Sequence, residues 1–363
     1  MGAERCYLID LEGCNDANQY HQEYGGEKLR ERVEKAKRCP LENVTTLNDY
    51  KQELRDFYLN GYKKGYQIDK PNFDDIFSTY TSQYIVVTGI PSHGKSNFVD
   101  EMCIGYNLKY GWKTAFASPE NVPQEQHGDS IAQRVYGRKP ETLQELNSLK
   151  WLKVEDYIEK NFYNIDFERY SLEETLEKAA ELVKRKGIKC LVIDPFNKIK
   201  LKSGNKTSIT EYTNEYLNEI DIFCKKYDIL ILLVAHPTKM EKDASGKRVM
   251  PDFYSIKGGG EWYDMSPNGL CIHRHFEENY IEVKVLKVKF RNLGENNASC
   301  YFAWNNNNGR YTPIDVDRYK NDGAVTYDNS FWLEEENEQP ELIPEEMPVN
   351  SEFDLQGDPD CPF

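Results

Sequence analysis

One eight-residue stretch limits this chain more than its length does. Gly89-Ile90-Pro91-Ser92-His93-Gly94-Lys95-Ser96 fits G-x-x-x-x-G-K-[ST]. The apolar run Tyr84-Ile85-Val86-Val87-Thr88 reads as a strand immediately before it, and residues 96–109 read as a helix immediately after it. A glycine-rich turn between a strand and a helix lets backbone N–H groups curl round phosphates, and the helix N-terminus adds its dipole. Chance alone produces such a match in about one sequence in a hundred, and the strand-before, helix-after context lowers that further. Gly89, Ser92, His93, Gly94, Lys95, Ser96 and Asn97 are therefore the candidate nucleotide-binding residues. Lys95 is placed to reach the outer phosphates and Ser96 to ligate Mg²⁺, so ATP and Mg²⁺ are the expected cofactors.

Such a loop needs an acid on a neighbouring strand to hold the metal. Cys190-Leu191-Val192-Ile193-Asp194 supplies four apolar residues and then Asp194 at the strand end. Hydrolysis also needs a group that takes a proton from water. Glu120 follows the strand expected at 114–118 and is the candidate general base; the plain alternative is a surface Glu at a helix N-terminus. His236 follows the strand expected at 229–235, where an imidazole can donate to the terminal phosphate; the alternative is a capping histidine.

Further strands are expected at 269–274, 281–289 and 301–304, and helices at 124–136, 172–186 and 209–226. Apolar strands alternating with amphipathic helices specify an α/β fold with a mostly parallel sheet covered on both faces, finishing antiparallel where the last strands crowd together. Ahead of it, residues 6–9 read as a short strand, and 23–38 and 47–60 as helices. The run Asn305–Asn308 with Gly309 reads as a turn.

Hydrophobic residues make up 39% of the chain, enough for a sizeable core, and no run of apolar residues is long enough to span a bilayer. Asp10 and Glu12 follow the N-terminus too closely for a signal peptide. The nine cysteines contain no Cys-x-x-Cys pair and read as reduced thiols of a cytoplasmic protein. The net charge of −15 is unevenly spread: eleven acids and no Lys or Arg fall in residues 333–363, leaving −4 for the rest. An acidic, proline-rich end of this kind reads as disordered.

The strand ends taken together, namely Gly89–Ser96, Glu120, Asp194, Ala235-His236-Pro237 and Lys257-Gly258-Gly259-Gly260, resemble the RecA-like motor of hexameric replicative helicases, the DnaB/Twinkle group and the fused phage primase–helicases. The resemblance runs over about residues 45–315. It implies a ring, a hexamer in that family's manner, that tracks 5′→3′ on single-stranded DNA and opens forked duplex in a bacterial or phage-infected cell. It also implies that Lys289 and Arg291, in Val288-Lys289-Phe290-Arg291, reach the ATP of a neighbouring subunit; Lys287 lies two before Lys289, so the register could slip by two, and the plain alternative is a basic hairpin facing solvent. Residues 15–37 resemble the closing part of a TOPRIM primase domain, whose acidic catalytic part does not lie in this sequence. The implied division is a TOPRIM-like remnant over 1–44, a linker with an inter-subunit helix over 45–75, a RecA-like ATPase over 76–316 and an acidic tail over 317–363.

Two Lys-rich segments follow strand ends on the nucleotide-binding side. One carries Lys198, Lys200, Lys202 and Lys206; the other carries Lys239, Lys242, Lys247, Arg248 and Lys257, followed by Gly258 and Gly259. Such loops can track phosphates without reading bases. The tail, ending in Pro362-Phe363, resembles the acidic tip of bacterial single-strand-binding proteins and the acidic tail of phage replicative helicases, which implies docking to a polymerase or primase; the plain alternative is a solubilising tail. Rival functions are a RecA-like recombinase and a nucleotide-gated single-strand-binding or loading ATPase without unwinding.

Overall fold

The computed structural model describes residues 6–38, 44–166, 170–201, 208–238 and 249–333. The chain divides into two compact units, Met1–Lys64 and Gly65–Phe363.

In the first unit, β1 (Tyr7–Leu8) pairs antiparallel with β2 (Lys37–Arg38). Between them lie α1 (Ala17–Tyr24), whose N-cap Asp16 accepts from the Gln19 N–H, and α2 (Gly26–Glu34). The single helix expected over 23–38 is thus broken. Gly25 at φ +86° ends α1, and the chain leaves α2 in time to form β2. A 3-10 turn at Leu47–Asp49, capped by Thr46, precedes α3 (Lys51–Asn60), which Gly61 ends at φ +75°. The helix expected over 47–60 therefore starts four residues later.

The second unit begins with α4 (Pro71–Asp74), flanked by a bridge between Tyr66 and Thr79. The main elements then follow in the order β3 (Gln83–Thr88), α5 (Lys95–Tyr110), β4 (Lys113–Ala117), α6 (Gln124–Tyr136), α7 (Leu143–Leu146), α8 (Leu149–Asn161) and β5 (Phe162–Asn164). Next come α9 (Leu172–Lys186), β6 (Ile188–Ile193), α10 (Ile209–Tyr227), β7 (Leu230–Val234), α11 (Gly260–Met265), β8 (Asn268–His275), β9 (Tyr280–Val288), β10 (Ser299–Trp304), β11 (Tyr311–Pro313) and α12 (Val316–Asp322). The sheet order is β11-β10-β9-β8-β3-β7-β6-β4-β5. Pairing is parallel from β5 through β8 and antiparallel from β8 to β11.

The central strands are buried on both faces, and their side chains divide by alternation. Ile85, Val87, Val192 and Leu232 join one core with Phe98 and Met102 of α5 and Val135 of α6. Tyr84, Val86, Leu191 and Leu233 join the other with Tyr216, Leu217 and Ile220 of α10. Because β3, β4, β6 and β7 are parallel neighbours, their C-terminal ends emerge along one edge. This is where an open α/β sheet places ligands.

The chain stays folded past residue 317, where the tail was expected to begin. After α12, the Asp328–Trp332 segment is held by Arg310, which donates to the carbonyls of Asp328 (3.1 Å) and Ser330 (2.6 Å). The Arg310 guanidinium lies 3.8 Å from the Trp332 ring centroid. Residues 334–363, the rest of the expected tail, lie outside the described residues. No helix among the described residues is long and apolar enough to cross a membrane. Cys103, Cys190, Cys224, Cys271 and Cys300 are buried free thiols.

Candidate nucleotide site

Gly89 leaves β3 at φ +151°, and a Cβ there would sit 2.3 Å from the Ile272 carbonyl oxygen. Only glycine lets the loop pass this close to β8. Gly94 then caps α5 at φ +92°, with the Tyr311 hydroxyl donating to its carbonyl at 2.9 Å. Lys95 is buried and donates to the Ile90 carbonyl at 3.1 Å, which folds its ammonium back into the loop. Burial pushes the Lys95 ammonium below its ordinary range, opposed by the charges of Asp194 and Glu120.

The Ser96 hydroxyl donates to Asp194 Oδ2 at 2.5 Å. Asp194 is buried, and desolvation raises its carboxyl to about 6 against the hydrogen bond from Ser96. Its other oxygen, Oδ1, is buried with no hydrogen-bond partner. A hydroxyl beside a buried carboxylate with one oxygen unanswered is a donor set suited to Mg²⁺ with nucleotide phosphates and water. Ser96 and Asp194 would hold the ion there, and the ion would neutralise phosphate charge.

Glu120 stands in the turn after β4 and is exposed, with Lys198 Nζ 2.9 Å from its Oε1. His236 follows β7 half-buried, its Nδ1 without a partner, and burial and the Lys95 charge lower its affinity for a proton. The Glu120 charge acts on Lys95, Asp194 and His236 alike, so the four side chains share one locality.

Hydroxyl ties between strand ends hold this edge together. The Thr88 hydroxyl donates to the Ala235 carbonyl at 2.9 Å, and that of Ser118 to the Asp194 carbonyl at 2.9 Å. Thr88, Ser118 and Tyr311 were not picked out as site residues. The first two carry a signal of sorts, a hydroxyl closing an apolar strand; Tyr311 carries none.

The other candidates are placed as follows. Ser92 is exposed at the loop's tip at φ +65°. The His93 ring turns away from the loop's mouth: its Nδ1 accepts from the Arg274 N–H at 2.9 Å, and it packs on His273 and Phe276. The Asn97 side chain accepts from Arg134 at 3.0 Å, a buried guanidinium that also faces Asp100 and Glu101. His93 and Asn97 thus anchor the loop rather than line it. The Lys200 backbone bonds to Tyr170 and Leu172 at the start of α9, leaving its side chain exposed. Gly258, at φ +112°, lies where a Cβ would meet Thr213 Oγ1 at 2.7 Å, so packing alone accounts for it; Gly259, at φ +60°, faces open space, and Lys257 is exposed. Lys202, Lys206, Lys239, Lys242, Lys247 and Arg248 lie outside the described residues.

Lys289 and Arg291 are exposed just past β9. That end of β9 lies at the level of Ile85, through Asn268, and therefore towards the start of β3 rather than its end. At ~3.3 Å per residue, Val288, the last residue of β9, sits about 13 Å below Gly89 along the strand direction, and Lys289 and Arg291 follow it. Lys287, by contrast, is turned onto the Tyr263 carbonyl.

No family model matches the chain. It is 27% identical over 343 residues to the Twinkle homolog protein, chloroplastic/mitochondrial, of Arabidopsis thaliana, covering 87% of this chain and 47% of that protein. The chain therefore spans about half the length of that curated relative. The ATPase domain of G40P superposes with a TM-score of 0.61 at 13% identity, over 75% of this chain and all of that one. A DnaB-like replicative helicase, solved in a study of its interactions with primase, superposes with a TM-score of 0.60 at 10% identity, over 82% of this chain and 74% of that one. The fold is that of the RecA-like ATPase domains of DnaB-like helicases.

Proposed function

We propose that this chain is the ATP-hydrolysing motor of a replicative DNA helicase. The observation that carries the reading is the convergence of Lys95, Ser96, Asp194, Glu120 and His236 on one sheet edge, with a buried carboxylate oxygen of Asp194 left unanswered. Lys95 and the loop N–H groups bind the phosphates, Ser96 and Asp194 hold Mg²⁺, Glu120 accepts a proton from the attacking water, and His236 contacts the terminal phosphate. Lys289 and Arg291 lie too far from the loop of their own chain to act there, so their part in hydrolysis is played on a neighbouring subunit of a ring. A planar, permanently charged guanidinium suits that role.

The motor tracks single-stranded DNA 5′→3′ through the two Lys-rich segments, and the acidic tail recruits a polymerase or primase. The first unit is the end of a TOPRIM-like domain, and α3 is the inter-subunit helix. The similarity to a Twinkle homolog over 87% of this chain favours this reading over a recombinase or a non-unwinding loader.

Glu120→Gln tests the chemistry. It should bind ATP as the wild type does and lose turnover by about 10²-fold or more, since an amide cannot take a proton from water. Steady-state ATP hydrolysis beside equilibrium nucleotide binding checks this; wild-type turnover in the variant would return Glu120 to an ordinary surface residue.

A further inference from the structure

The ion pair between Lys198 and Glu120 joins a candidate DNA contact directly to the candidate general base, Nζ to Oε1 at 2.9 Å. The two residues come from adjacent strand ends. Ala117 of β4 lies beside Ile193 of β6, and the Ser118 hydroxyl holds the Asp194 carbonyl, so the turn carrying Glu120 and the segment carrying Lys198 leave the sheet together. The backbone fixes Lys198. The Phe196 N–H bonds to the Val234 carbonyl at 2.8 Å, the Lys198 N–H to the Pro195 carbonyl at 3.1 Å, and the Lys200 N–H to the Tyr170 carbonyl at 2.9 Å.

Two features of this pair matter. First, an ammonium on Oε1 takes up part of the carboxylate's accepting capacity and holds the group turned towards Lys198 rather than towards a reacting water. Second, both side chains are about half exposed, at 52% for Lys198 and 42% for Glu120. An exposed ion pair contributes little, so its cation changes partner at small cost. A phosphodiester offers that ammonium an anionic oxygen equivalent to the one it leaves. Lys200, two residues on, is exposed as well, so a phosphate drawn to Lys198 finds a second cation beside it.

We infer that Lys198 is a latch: without DNA it holds the Glu120 carboxylate, and a single-strand phosphate that takes up Lys198 releases Glu120 to activate water. The latch rests on the reading of Glu120 as the general base, and it makes hydrolysis report on DNA occupancy. Lys198 acts through Glu120 and is a positioning residue. The other titratable groups around the pair, Lys95, Asp194 and His236, belong to the candidate nucleotide site; Lys95 and Asp194 are buried and His236 is half-buried.

The test is steady-state ATP turnover of the full chain with and without oligothymidylate, for the wild type, Lys198→Met, Lys198→Arg and Glu120→Gln. Lys198→Met should raise the DNA-free rate about two- to fivefold, the range an exposed ion pair can hold back, and oligothymidylate should then add little. Lys198→Arg, which keeps a cation for Glu120, should retain the low DNA-free rate and the stimulation. A DNA-free rate in Lys198→Met at or below that of the wild type, or undiminished stimulation, overturns the latch. Glu120→Gln separates the two claims. If it is inactive while Lys198→Met behaves as wild type, only the latch fails; if it turns over normally, the reading of the site fails with it.

Discussion

Asp194 meets two opposed demands. The proposed role needs its carboxylate ionised to hold Mg²⁺, while burial raises the carboxyl to about 6 because desolvation outweighs the Ser96 hydrogen bond and the Lys95 charge. A folded carboxyl that holds its proton above the unfolded value loses stability as pH rises. The native state keeps a proton that the unfolded chain has released, so stability falls between about pH 4 and pH 6 and stays lower above. Asp194→Asn should therefore be more stable than the wild type at pH 8 without metal or nucleotide, by about 1–3 kcal/mol. The advantage should vanish near pH 4, and Mg²⁺-dependent turnover should be lost. Urea unfolding at the two pH values checks the sign; equal stability at pH 8 would mean the buried carboxylate is compensated by something else. The position of Asp194 was legible from four apolar residues followed by an acid, and the positions of Glu120 and His236 from the strands before them. The packing of the His93 ring was not, because its partner, the Arg274 N–H, is 181 residues away.

At the scale of elements, the strand ends are held by close backbone approach, and two glycines in the site region show how differently the same change should act. Gly89→Ala forces a Cβ against the Ile272 backbone where β3 and β8 are already paired, with nothing flexible to give way. It should cost about 2–4 kcal/mol and weaken nucleotide binding. Gly259→Ala meets open space and bears only its positive φ, so about 1 kcal/mol is expected. Urea unfolding of the two variants side by side checks this; equal losses would show that the approach at Gly89 is not what matters. Buried strands such as β3, β6 and β7 announce themselves as uninterrupted apolar runs, and their expected bounds match to within a residue or two. The helix α8 and strand β5 escaped notice. Trp151 and Val154 are the buried side chains of α8, Leu149 and Leu152 are exposed, and β5 is three residues at a sheet edge. The Asn305–Gly309 segment is the turn its composition announces, but its partners are not legible there. Asn305 and Asn308 both bond to the Asn329 side chain, and Asn308 also donates to the Asp328 carbonyl, so together with Arg310 the turn clasps the last folded segment. No local pattern announces a partner some twenty residues ahead.

For the molecule as a whole, the sheet separates two chemistries. Lys95, Ser96, Glu120, Asp194 and His236 gather at the C-terminal ends of its parallel strands, while Lys289 and Arg291 lie just past β9, towards the opposite edge of the sheet. If both groups serve one nucleotide, as proposed, the site is complete only when copies of the chain meet head to tail, a heterologous contact that closes into a ring or runs on as a helix. The latch at Lys198 adds the third requirement, that hydrolysis answer to a bound strand. Motor activity draws on all three, whereas a recombinase or a loading ATPase needs no strand separation. The most direct measurement is release of a labelled strand from a forked DNA duplex by the full chain, with and without ATP and Mg²⁺, beside Lys95→Ala and Arg291→Ala. The account predicts strand release by the wild type only when ATP and Mg²⁺ are both present, and none by either variant. ATP hydrolysis stimulated by single strands with no strand release under any condition would contradict it.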